Sequence, residues 1–306
     1  MSARGFRTLP LWLGGVLALG TAPAPGGALP DTKPPKVVLK EVLDSRKGGN
    51  APPGELVVVL KLEGEDLDAI AGARTLLKDA RDDFGRSLLP AVVPTSPLFA
   101  DLRMSPSPLE VNLVAPPASA RSLSVFGAVE LFVPGRDPNA VARVLNALKR
   151  LDEPLVSPGL EAAGIRVTPL SRARYAAEQE KQVGKEATDR IRKQRKADGW
   201  TDEEISEHLA SRKQYVKALG SGAPGHAVVL LARNEDFLKI HSVRFLRPDG
   251  TEIPDGAMFG SHDGVLGTRR YAVGEAPGSE TTIVFTLITG KATVSVPFAL
   301  KDVPLP

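Results

Sequence analysis

Few residues in this chain are equipped for acid–base or metal chemistry. It holds four histidines, His208, His226, His241 and His262, and no cysteine. The most site-like arrangement is Gly260-Ser261-His262-Asp263-Gly264, where flanking glycines let a loop present an imidazole and a carboxylate together. That donor pair suits zinc, and His241 is the candidate third ligand. A metal-dependent hydrolase centred on His262 and Asp263 is therefore one functional reading. The plainer reading is an ordinary Asp-Gly turn, because neither an HExxH helix nor a CxxC pair accompanies it. Asp82-Asp83, Asp249, Glu252 and Asp255 offer hard oxygen ligands for calcium, but none follows the spaced loop pattern such sites use. There is no GxSxG elbow for a nucleophilic serine, and neither GxGxxG nor GxxxxGK[ST] for a phosphate. Without cysteine, disulfides, thiolate metal sites, iron–sulfur clusters and lipid-modified cysteine are excluded. No cofactor is expected.

Aromatic residues are scarce, at 5% of the chain. Trp12 lies in the leader, and Trp200, Tyr175 and Tyr215 fall in one Lys/Arg/Glu-rich stretch. The remainder offers few flat platforms for stacking on sugars, which disfavours carbohydrate binding. Trp200, Tyr175 and Tyr215 are instead candidate contacts for a partner, since Trp and Tyr are frequent binding hot spots. Beside them, Arg190-Ile191-Arg192-Lys193-Gln194-Arg195-Lys196 holds five cations in seven residues. It reads as a solvated helix face with cations near the C-terminal end, or as a dock for an acidic partner or anionic lipid. The formal charge is only +3, and Arg4 and Arg7 belong to the leader. So small a charge gives no long-range field for nucleic acid.

The elements around these residues fall into blocks. Residues 1–20 combine an early positive charge, an apolar run and small residues, and read as a signal peptide cleaved after Gly20. The run is short of the roughly 20 residues a spanning helix needs, and no later segment comes close to one. Export to a periplasm or the cell exterior follows. Residues 21–35 are a Pro/Gly-rich linker. Strand patterns predict a first β domain over 36–170, with a nearly continuous apolar run at Leu56–Leu62, a further strand at Leu109–Val114 and alternation at Ile165–Thr168. Ser157-Pro158 begins a short helix that Gly164 ends. In 171–219 prolines vanish and helix formers dominate, predicting a hairpin of two helices. The first runs from Ser171 to about Ala197. The second starts at the Thr201–Glu204 capping box and carries Ile205, Leu209, Val216 and Leu219 on one face. A second β domain is predicted over 220–306.

The two β regions share an order of features. Glu55–Leu60 matches His226–Leu231 in pattern, and turns ending at Gly85 and Gly250 follow. Ala-Pro stretches then precede strand pairs closing on Val133-Pro134 and Val296-Pro297, and Ala147-Leu148-Lys149 answers Ala299-Leu300-Lys301. The pattern predicts a mainly β fold of two immunoglobulin-like sandwiches related by an internal repeat, with the helical hairpin inserted between them. In this order, in its leader and in its closing Val296–Pro306 stretch, the chain resembles exported bacterial proteins with immunoglobulin-like β-sandwich domains. The resemblance implies a fold and a compartment and carries over no catalytic residue. The expected function is non-enzymatic binding or scaffolding, through sandwich and hairpin surfaces, of a protein in the cell envelope.

Overall fold

The computed structural model describes residues 35–44, 54–91, 98–101, 109–221, 226–262 and 265–306. The leader, most of the linker and Asp263 lie outside them. In chain order the elements are strands Lys36–Asp44 (β1), Glu55–Glu63 (β2), Gly72–Asp82 (β3), Ala100–Asp101 (β4), Leu109–Val114 (β5), Ser122–Phe132 (β6) and Val141–Val144 (β7). Helix Pro158–Ala162 (α1), strand Val167–Pro169 (β8) and helices Arg172–Val183 (α2), Lys185–Ala197 (α3) and Asp202–Ser221 (α4) follow. The chain then forms His226–Arg233 (β9), helix Asn234–Leu238 (α5), Ile240–Leu246 (β10), Glu252–Ile253 (β11) and Asp255–His262 (β12). Leu266–Val273 (β13), Thr282–Leu287 (β14) and Thr293–Pro304 (β15) complete it. The protein is mainly β, in several antiparallel sheets.

Two hydrophobic cores organise these sheets. The first lies between sheets β1-β2-β5 and β15-β6-β3-β4, with Leu56, Val58, Leu113, Val125, Leu131 and Phe298 among its side chains. Strand β5 shows why it has one buried face: Leu109, Val111 and Leu113 point inward while Glu110, Asn112 and Val114 are exposed, the two-residue period of a pleated strand. The second core lies between sheets β12-β13-β9-β8 and β11-β10-β14-β7, and includes Val144, Val167, Leu230, Phe245, Ile283 and Phe285. Strand β14 is buried along its whole length because it sits between β10 and β7, and its sequence is apolar or threonine throughout.

The segment boundaries expected near residues 170 and 220 do not separate the two cores. Strand β15, the end of the chain, pairs with β6 from Thr293 opposite Phe132 to Pro304 opposite Ser122, and so closes the first core. Conversely β7 pairs with β14 and β8 with β9, so residues 141–169 serve the second core. Local alternation explains the difference. It says that a segment is a half-buried strand, but not which sheet edge it joins.

The chain crosses between the cores at residues 133–140, leading from β6 to β7, and again at 288–292, leading from β14 to β15. The two crossings are bonded to each other. Val133 N–H donates to Ala292 O at 2.8 Å, and Thr289 Oγ1 donates to Asp137 Oδ2 at 2.6 Å. Ala71, Phe99, Phe132, Ala140 and Ala292 form a third small core around this junction. Asp137 is buried, and its other oxygen accepts Asn139 N–H at 3.0 Å. The Thr289 hydroxyl, then the Asn139 amide, hold its carboxyl below the ordinary aspartate range against the opposing effect of burial. A carboxylate depressed in the fold adds stability above its unfolded pKa, and that stability disappears as pH falls through the folded value. Asp137→Asn keeps the shape and acceptor but not the charge. The melting-temperature gap between wild type and D137N should therefore be open at neutral pH and close as pH falls below the ordinary aspartate range. A gap independent of pH in thermal melts would count against the assignment.

The insert between β8 and β9 contains three helices, not the expected two. The predicted first helix is broken at Gly184, whose φ of −69° and ψ of 171° are extended, and α3 starts afresh from it. Glycine loses more conformational freedom on entering a helix than any other residue. Each start has a local cause. Ser171 Oγ accepts Arg174 N–H at the head of α2. Thr201 and Glu204 cap each other at the head of α4, Glu204 Oε2 accepting Thr201 N–H at 2.7 Å and Thr201 Oγ1 accepting Glu204 N–H at 3.2 Å.

Candidate interaction surface on the helical insert

The three helices pack on one another around Ile205, which is 1% exposed, and Ala187, which is 3% exposed. Glu178 and Gln179 of α2 are also buried, and Glu178 accepts from Arg174 at 3.1 Å and Lys181 at 2.9 Å. The insert is tied to the β framework at both ends. Asp152 Oδ1 accepts Ser171 N–H at 2.9 Å where α2 begins. Bonds from Ser171 hold the Asp152 carboxyl below its ordinary range. Near the other end, the Tyr215 hydroxyl donates to Gly260 O of β12 at 3.1 Å.

The three aromatic contact candidates occupy different roles. Tyr175 is half-buried on α2, and its hydroxyl accepts from the Gln179 side-chain amide. Burial raises its pKa, Arg270 of β13 opposes that rise, and Tyr215 adds to it, so the two tyrosines converge on the β12–β13 side of the framework. Tyr215 is 45% exposed even so. Trp200 sits in the α3–α4 turn. Arg195 of α3 lies over its ring, 4.4 Å from the centroid, and His208 of α4 meets it edge-on at 5.6 Å. Trp200 thus clasps α3 to α4 while remaining 37% exposed. Burial, then the charges of Arg195 and Arg212, pull the His208 pKa down.

Along the same two helices, α3 and α4 border a concave groove of about 340 Å³. Its apolar wall is Val183, Ile191, Leu209 and Ala210, and Arg192, Arg212 and Lys213 stand among its lining residues. The strip of cations seen in the sequence runs along α3. Arg192 reaches Asp189 at 3.5 Å, Arg195 reaches Asp198 at 3.7 Å and Lys196 reaches Asp202 at 2.9 Å, all between at least partly exposed side chains. Pairs of that kind are worth little individually, so the helix keeps a net basic character. Sequence alone singled out Leu209, in the apolar stripe of the second helix, but not Ala210 or the alignment with Arg212 and Lys213. Seeing those requires the break at Gly184, which turns α3 relative to α2.

The metal-ligand candidates are placed as follows. His241 is on β10 and packs edge-on against Phe132 of β6, centroids 4.9 Å apart. It also lies where a Cβ on Gly72 would come within 3.0 Å of its Cε1, so it forms part of the junction between the cores. His262 ends β12, on the opposite sheet of the second unit, and its backbone pairs with Gly267. Its side chain and Asp263 lie outside the described residues. Among the described residues, no group of three His, Asp or Glu side chains is placed to share a metal ion. Of the calcium candidates, Asp82 and Asp249 form turns, Asp82 Oδ1 accepting Phe84 and Arg86 N–H and Asp249 Oδ1 accepting Thr251 N–H. Asp83 accepts Arg121 N–H across the sheet end, Glu252 of β11 meets Arg244 at 3.5 Å, and Asp255 opens β12. Among the described residues, no helix is long and apolar enough to cross a membrane. Comparison with protein-family models, curated proteins and solved structures finds no match to the chain.

Proposed function

We propose that this chain is an exported, non-enzymatic binding protein whose partner in the cell envelope docks on the helical insert. The observation that carries the reading is the groove between α3 and α4, apolar along its wall and bordered by cations, on an insert fastened to the β framework through Asp152 and Tyr215. Concave apolar surface with a polar rim is the usual form of a docking site. The framework itself is read as two copies of one immunoglobulin-like sandwich. Strand order supports this: β1-β2-β5 and β15-β6-β3-β4 are answered by β8-β9-β13-β12 and β7-β14-β10-β11, with β12 the one strand that has no counterpart. On this reading each copy has given its last strand, β7 or β15, to the other, and the helical insert stands where the first copy has only its β1–β2 connection.

The test replaces residues 172–218 with a short Gly/Ser linker and compares affinity purifications from the native envelope. The proteins captured by the intact chain should be lost, while circular dichroism still shows the β signal and a cooperative melt. Retention of the same proteins by the shortened chain would make the insert a spacer.

A further inference from the structure

Resting on the reading that the insert is the docking element, we infer that the α3–α4 groove takes an acidic amphipathic helix from a protein partner. Size is the first argument. About 340 Å³ is at the low end of ligand clefts, which span about 300–1,000 Å³. It has room for a few aliphatic side chains rather than a large cofactor. Shape is the second. Val183, Ile191 and Leu209 are half-buried along the wall of a concavity, where knobs from another helix can reach them but a flat bilayer surface cannot. A membrane-binding helix would instead project its apolar side chains outward. Charge is the third. Along α3, Lys185, Arg190, Arg192, Lys193, Arg195 and Lys196 outnumber Glu186 and Asp189, and Arg212 and Lys213 continue the basic border on α4. An occupant with apolar residues at three- and four-residue spacing and carboxylates on its flanks meets both features at once.

The direct test uses the full mature chain and a fluorescent peptide about 15 residues long, or four helical turns, with Leu on one face and Glu on the others. Saturable binding is expected that weakens as salt rises, because the flanking charges are screened. A peptide with Lys in place of Glu should not bind. Ala210 and Lys213 are both exposed, so Ala210→Trp, which fills the groove, and Lys213→Glu, which reverses one border charge, should leave the fold intact. A210W should abolish binding and K213E should weaken it about tenfold, the effect of losing one charge-assisted contact. Absence of saturable binding, equal binding of the Lys peptide, or binding indifferent to A210W would overturn the inference. So would K213E-sensitive binding to phosphatidylglycerol vesicles without binding to the peptide. If the peptide fails while deletion of the insert still removes the native partner, the occupant's chemistry is wrong and the docking role stands.

Discussion

Removing residues 293–306 should abolish cooperative folding of the first core, although those residues lie farthest from it in the sequence. Strand β15 forms one edge of the β15-β6-β3-β4 sheet, and Val296, Phe298 and Val303 are each 7% exposed within that core. Burying each such side chain contributes about 1.5–3 kcal/mol. Three of them approach the whole net stability of a domain, about 5–15 kcal/mol. Loss of the strand also leaves one edge of β6 unpaired, with only β3 still bonded to the other. Residues 36–170 produced alone should likewise show no cooperative melt, since they carry β6 without β15. A peptide spanning 293–306 added in trans should restore amide protection to β6. A cooperative melt from residues 36–170 alone would contradict the role of β15 in closing the first core.

The second large effect is expected at Gly127, in the middle of β6. A Cβ there would lie 2.5 Å from Leu76 O of β3 and 2.9 Å from Cζ of Phe298 on β15. The oxygen is backbone within the sheet and cannot swing aside, so the strands must separate. Overpacking of this kind costs about 3 kcal/mol, which corresponds to a fall in melting temperature of roughly 10 °C. Gly127→Val should therefore be strongly destabilising. Gly278→Ala is the control, because a Cβ at Gly278 meets nothing within 4 Å and its backbone is not left-handed. Equal melts for the two variants would show that β3, β6 and β15 do not approach as described.

What the sequence made legible follows from which signals are local. The apolar run of β2 and the strand at β5 need only neighbouring residues, as do the caps at Ser157, Ser171 and Thr201, and all form elements where the pattern places them. Strand β12, Asp-Gly-Ala-Met-Phe-Gly-Ser-His, escaped because its glycines disguise it as loop; it is held by pairing with β13. The short α5 was hidden between two strands. The entry of β7 into the second core and of β15 into the first is the least local feature. Val141–Val144 and Val294–Phe298 carry the same kind of alternation whichever core they enter, and their destinations are fixed by the paired crossings at Asp137 and Thr289. The candidate surface was half legible. Cations and aromatic residues marked the insert, but Tyr215 turns out to be bonded to β12 and Trp200 to bridge two helices. The groove exists only once Gly184 has broken the long helix in two.

The claim that the insert is the working surface is tested most directly by site-specific photo-cross-linking in intact cells. The photoreactive residue is placed at Lys213, in the groove lining, or at Glu110, on the exposed face of β5. The account predicts one discrete protein adduct from position 213 that is lost when Ala210→Trp fills the groove, and none from position 110. An adduct from position 110 with none from position 213 would contradict it.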